Sequence, residues 1–172
     1  VSFGMAPSLV MYHWALSSMK LDGTLLGKVG WAAAFLYAAC AALRLARFNT
    51  QVGSVDKRWF IGLNSPSSAG MMMSFVWAMN EFGWTGQELR YIALALTVVC
   101  GLLMVSRFRY SSFKGSGQPK EREDRIPFGM ALVVVAVLVA LFIDPPRVLL
   151  LMAGTYAASG PMYWLWLKLK PK

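Results

Sequence analysis

Six apolar runs alternate with short polar segments along the chain: Val1–Met19, Val29 to about Arg47, Met71 to about Asn80, Tyr91–Ser106, Pro127–Ile143 and Val148–Leu167. Most of them approach the roughly 20 residues that a helix needs to cross a bilayer. The pattern predicts an all-α, polytopic transmembrane bundle of about six spans, built as a single membrane domain over residues 1–172. Pro7 lies inside the first run as an expected kink, which neighbouring helices would have to satisfy. The second run carries Ala32-Ala33-Ala34 and Ala38-Ala39-Cys40-Ala41-Ala42, small residues that let helix backbones approach closely in lipid. Between the second and third runs, Gly62, Pro66 and Gly70 with three serines read as non-helical backbone at membrane depth, tolerated only against protein or a wet cavity. The break could bind an anion at the following helix N-terminus; it is equally readable as a plain interfacial loop. Residues from about 107 to 126 form a polar loop, flexible in its second half, and Asp144-Pro145-Pro146-Arg147 reads as a tight turn.

Charge sharpens this picture. The chain is 57% hydrophobic and 15% charged, with a net charge of +9. Its basic residues flank the apolar runs and form no continuous stripe with interleaved exposed aromatics, which argues against nucleic acid as a partner. Counted over alternate connections, thirteen lysines and arginines fall on one side and four on the other. The positive-inside rule assigns the richer side, with both chain ends, to the cytoplasm. The mix of Arg and Lys with Phe and Tyr over Arg107–Lys114 suits a surface of membrane lipid, where rings sit at the headgroups and cations meet phosphates. No secretory signal opens the chain, since Val1–Met19 has neither a basic start nor an initial Met; the first residue reads as a cut through a longer protein.

Chemistry concentrates at Leu43-Arg44-Leu45-Ala46-Arg47-Phe48-Asn49. Fifteen uncharged residues separate Lys28 from Arg44, about 22 Å of helix against roughly 30 Å of hydrocarbon. An arginine at the centre of a span costs about 2.5 to 3.5 kcal/mol on insertion scales, and is kept where it faces a partner or a wet cavity. Arg44 and Arg47, three apart, share a helix face, whereas Asn49 falls off that stripe and is expected just past the helix end. Both arginines could instead snorkel to the interface as anchors. His13 has no second His, Cys or carboxylate at helical spacing and reads as a packing or interfacial residue. Cys40 and Cys100 read as small hydrophobes with no metal-site spacing.

Four blocks carry a resemblance: Val1-Ser2-Phe3-Gly4-Met5-Ala6-Pro7, Ala42 to Asn49, Lys57-Arg58-Trp59-Phe60-Ile61-Gly62-Leu63-Asn64-Ser65-Pro66, and Ser106 to Lys114. In this order they resemble the bacterial membrane-integral phosphatidylserine synthases of the CDP-alcohol phosphatidyltransferase family. The resemblance implies a phospholipid-biosynthesis transferase of the bacterial inner membrane, working on its cytoplasmic face. Its partners would be CDP-diacylglycerol and L-serine, with phosphatidylserine and CMP as products. It also implies a divalent metal, Mg2+ or Mn2+, bound by a four-aspartate signature that ends just before the Val-Ser-Phe-Gly block. None of the eight carboxylates here has that spacing, so no catalytic residue and no metal ligand is assigned, and this chain alone is expected to be inactive. What the resemblance leaves to these residues is substrate binding: Arg44, Arg47 and Asn49 on the acceptor side, Ser65 beside them, and Arg109 and Lys114 toward a lipid or nucleotide phosphate. Two departures stand out: Asn64 occupies the place of the family's usual Pro, and Ser67 and Ser68 stand where alanines are usual. The rivals are a sister transferase using glycerol phosphate or inositol phosphate, and a transporter or structural subunit, for which the expected inverted repeat is not visible. A homodimer fits the small-residue helix faces.

Overall fold

The computed structural model describes residues 2–22, 24–50, 59–106, 109–111 and 128–169. The fold is all-α: α1 (Ser2–Trp14), a 3-10 helix (Leu16–Asp22), α2 (Thr24–Thr50), α3 (Ser65–Glu81), α4 (Arg90–Val105), α5 (Phe128–Ile143) and α6 (Pro145–Leu169). Two three-residue strands, β1 (Trp59–Ile61) and β2 (Arg109–Ser111), pair antiparallel, with Trp59 opposite Ser111 and Ile61 opposite Arg109. The polar linker 51–58 and the loop 112–127, Lys114 included, lie outside the described residues.

Helix boundaries correct three expectations. Asn49 lies inside α2, in its last turn, because the helix runs on through the polar end of the apolar run. The serine stretch is helical from Ser65 onward: Asn64 takes the N-cap position and Pro66 sits in the first turn, where a missing N–H costs nothing. Only Gly62, Leu63 and Asn64 remain irregular between β1 and α3. The segment from Pro145 to Arg147 opens α6 and is not a turn; the Asp144 carboxylate accepts the Arg147 backbone N–H at 3.4 Å and pairs with the Arg147 guanidinium at 2.9 Å. Pro7 is buried within α1.

Of the described helices, one is long and apolar enough to cross a membrane, α2 over Lys28–Asn49, and 28% of that stretch is buried. Its length, apolar character and largely uncovered surface suit a helix that crosses lipid. α2 packs on α1, the 3-10 helix and α4, while α3 packs on α6, α1 and α4, and α5 packs on α6. The core lies among the first four helices, with Met11, Leu16, Met19, Tyr37, Met72 and Met104 fully buried. On α2 the buried positions Ala33, Tyr37 and Cys40 recur at i, i+4 and i+7, a helical stripe that the next step carries to Arg44. Gly4 lets α1 close on this face, since a Cβ there would stand 2.7 Å from the Ala41 Cβ.

The entry to α3 is fixed against the end of α4. Gly62 has φ +82°, and a Cβ on it would run into the Met104 carbonyl oxygen and stand 3.0 Å from that of Ser106. The next residue, Leu63, is fully buried and donates its N–H to the Leu103 carbonyl at 3.0 Å. Gly62→Ala is therefore expected to destabilise the protein by about 2 kcal/mol or more, from left-handed backbone strain and the clash together, read as a lower melting temperature in detergent. Gly70→Ala, with open space around it in α3, should be neutral or stabilising by up to about 1 kcal/mol.

Candidate functional site

The site forms where the C-terminal end of α2 meets the first turn of α3. Arg44, half-buried, donates from Nη1 to Ser65 Oγ at 2.9 Å. Its Nε is buried with no hydrogen-bond partner. Tyr156, on α6, lies within electrostatic reach of the guanidinium. A guanidinium carries five N–H donors in a fixed fork, so Arg44 holds donor capacity beyond its bond to Ser65. A buried donor of this kind is costly unless something accepts from it. A carboxylate or phosphate oxygen is the acceptor that matches the fork.

The geometry shows where the Arg44 side chain points. Its place on the buried stripe of α2 turns its side chain inward to α3 and α6, against protein, and a purely snorkelling anchor would instead turn outward to the headgroups. Arg47, one turn on, is also half-buried and has interactions of its own. Asn49 is exposed at the end of α2. Arg109 lies in β2 opposite Ile61, three residues before Asn64 and close in sequence to the entry of α3. The ribbon thus brings Arg109–Ser111 onto the strand that leads into Ser65. Lys114 lies outside the described residues. His13 is exposed near the end of α1, and Cys40 and Cys100 are free and buried.

Sequence reasoning missed three residues. Tyr37 is fully buried; its hydroxyl accepts from Ser68 Oγ at 3.2 Å and donates to the Phe3 carbonyl of α1 at 3.4 Å. Ser68 is fully buried as well. The available signal was the spacing: Tyr37 stands seven residues before Arg44 on one face, a hydroxyl in a run of Ala and Leu. Tyr156, the third, has no local signal, since it reaches Arg44 only through packing of α6. Most other helical hydroxyls here bond their own helix, three or four residues back: Ser8 to Met5, Ser74 to Met71, Thr97 to Ala93, Thr155 to Leu151 and Ser159 to Tyr156. Ser65 and Ser68 instead engage α2.

Asn64, the departure from the family's usual Pro, has φ −62° and ψ 133° and makes no side-chain cap. That is the φ a proline ring imposes, so the backbone path into α3 is one either residue can follow.

No family model matches the chain. Among curated proteins, it is similar to the CDP-diacylglycerol–serine O-phosphatidyltransferase of Helicobacter pylori, 29% identical over 172 residues, which cover 99% of this chain and 65% of that protein. It is also similar to the proteins of the same name from Methanocaldococcus jannaschii, 31% identical over 113 residues (66% of this chain, 45% of that protein), and Bacillus subtilis, 31% over 116 residues (66% and 54%). The chain thus spans somewhat under two thirds of the length of the first of these.

Ser65→Ala removes the oxygen that accepts from Arg44 and leaves a second buried donor without a partner. It is expected to cost about 1.5 to 3 kcal/mol, measured as a drop in melting temperature, while Ser67→Ala, one residue off that face, should change it by less than about 0.5 kcal/mol.

Proposed function

We infer, from the chain's similarity to CDP-diacylglycerol–serine O-phosphatidyltransferases, that the whole protein transfers a phosphatidyl group from CDP-diacylglycerol to the hydroxyl of L-serine, releasing CMP. These residues supply the acceptor-binding side. The observation that carries this reading is the Arg44 guanidinium turned into the protein, held by Ser65 and with an unpartnered buried Nε. Serine arrives as a zwitterion, and its carboxylate is the bidentate acceptor that such a fork recognises. Arg47 adds a second cation on the same helix face, and Asn49 extends the polar end of α2. Arg109 and Lys114 belong, in this reading, to the phosphate-facing side at the membrane surface. The chain's own contribution is to orient the acceptor and to compensate its negative charge, so that the hydroxyl is presented to the donor.

A divalent metal is part of the proposal for the whole protein, but the described residues do not fit it: no three His, Cys, Asp or Glu side chains among them come together. No step is assigned through it here.

The proposal includes a six-span bundle with the site on the cytoplasmic side. Support comes from α5, whose Leu132 to Val135, Leu138, Val139 and Phe142 are exposed, a face suited to lipid. Opposite the proposed cytoplasmic side, Arg147 stacks on the Phe82 ring at 4.5 Å and Arg90 on Tyr91 at 5.1 Å, as aromatic and basic residues do at an interface. A cysteine placed at Asn49 should react with an impermeant maleimide only after the inner membrane is opened, and one placed at Glu88 without opening; the reverse pattern overturns the orientation.

Activity is tested on the full-length protein in mixed micelles with CDP-diacylglycerol. Release of CMP should depend on serine; release driven by glycerol phosphate or inositol phosphate, and not by serine, overturns the reading. Arg44→Ala should raise the KM for serine about tenfold to a hundredfold, the range of a charge-assisted hydrogen bond, with Arg44→Lys intermediate. Arg47→Ala should raise the KM for serine more than that for the lipid donor, and equal loss for both would make Arg47 a structural anchor.

A further inference from the structure

Two hydrogen bonds link α2 to α3, and they form a ladder. Arg44 and Tyr37 are seven residues apart on α2, two turns along one face, and they meet Ser65 and Ser68, three residues apart on one face of α3. Elsewhere the two helices are not broadly packed on each other among the described residues, so side-chain ridges do little to fix their register. The first turn of α3 also has weak local support: Asn64 provides no side-chain cap, and that turn carries the free N–H groups of every helix start. One residue of slippage would rotate Ser65 by about 100° away from Arg44.

We propose that Tyr37 is a positioning residue for the acceptor site: through Ser68 it holds the first turn of α3 in the register at which Ser65 meets Arg44. The inference rests on the acceptor-site reading above. Tyr37 is suited to the role because both sides of its hydroxyl are engaged. It accepts from Ser68 and donates to the Phe3 carbonyl, so α1, α2 and α3 are tied at one oxygen. Its ring is fully buried, which fixes where that oxygen stands. Ser68, a serine where the family usually has alanine, uses its hydroxyl across the helix pair, unlike Ser74 one and a half turns on, which bonds its own helix.

The test uses the full-length protein and two measurements. Tyr37→Phe keeps the ring and removes the hydroxyl. It should raise the KM for serine roughly threefold to tenfold, the range one net hydrogen bond supplies, with kcat and the KM for CDP-diacylglycerol within about twofold. Ser68→Ala should act in the same direction, and the double variant should be no worse than Tyr37→Phe alone, because loss of the Tyr37 hydroxyl already breaks the bond to Ser68. Independently of activity, hydrogen exchange should speed up several-fold in the amides of residues 65–69 and stay unchanged in residues 75–81. Cys100→Ala, which disturbs the same core beside Ser68, should leave the serine KM unchanged.

A rise in both KM values together, a matching rise in Cys100→Ala, or unchanged exchange at residues 65–69 overturns the positioning role. If the wild-type protein releases no CMP with serine, the functional reading falls, and the exchange measurement still decides whether Tyr37 holds the register of α3.

Discussion

Everything distinctive about this protein follows from one constraint: a polar side chain in an apolar helical bundle must find its partner inside the protein. An unpartnered donor or acceptor buried among apolar side chains costs far more than one at a wet surface. Most hydroxyls meet the constraint locally, by returning to a carbonyl of their own helix. Arg44 carries five donors at the end of a long side chain, more than the carbonyls of its own turn can accept. It reaches α3, and the bond to Ser65 is the result.

That reach explains why the start of α3 is built as it is. A left-handed Gly62 lets the chain turn closely over the end of α4, a buried Leu63 donates its N–H to the Leu103 carbonyl, and α3 begins two residues later with Ser65 facing α2. The short ribbon between Trp59–Ile61 and Arg109–Ser111 fastens the same region to the segment that follows α4. Local geometry that looks like a loose interfacial loop in the sequence is thus a fixed platform. It delivers a hydroxyl to a guanidinium whose Nε has no partner within the protein.

Several features were legible without coordinates. The apolar runs gave the helices, and the two arginines stood out as charges with an insertion cost to justify. The structure joins the arginine stretch to the serine segment through the Arg44–Ser65 bond, and Arg109–Ser111 to the strand before it through the ribbon. Other features were not legible. The strands are three residues each and nearly fifty residues apart, too short for a periodic signal and dependent on a non-local pairing. The serines of α3 read as a break because Gly, Pro and Ser cluster there, yet Pro at the first turn begins helices as readily as it ends them.

The amino-acid sequence by itself determined the all-α, apolar character of the chain, the location of the charged stretch within it and the blocks that resemble the phosphatidylserine synthases, because hydropathy, charge cost and local motif are properties of contiguous residues. The direction in which the Arg44 side chain points was set only by tertiary structure. It depends on how its face of α2 is turned in the bundle, and that is set by Ala33, Tyr37 and Cys40 packing inward. The partnership of Tyr37 with Ser68, and the approach of Tyr156 to Arg44, likewise exist only once three helices have packed. A side chain's neighbours across helices are fixed by the arrangement of the helices, which no short stretch of sequence contains.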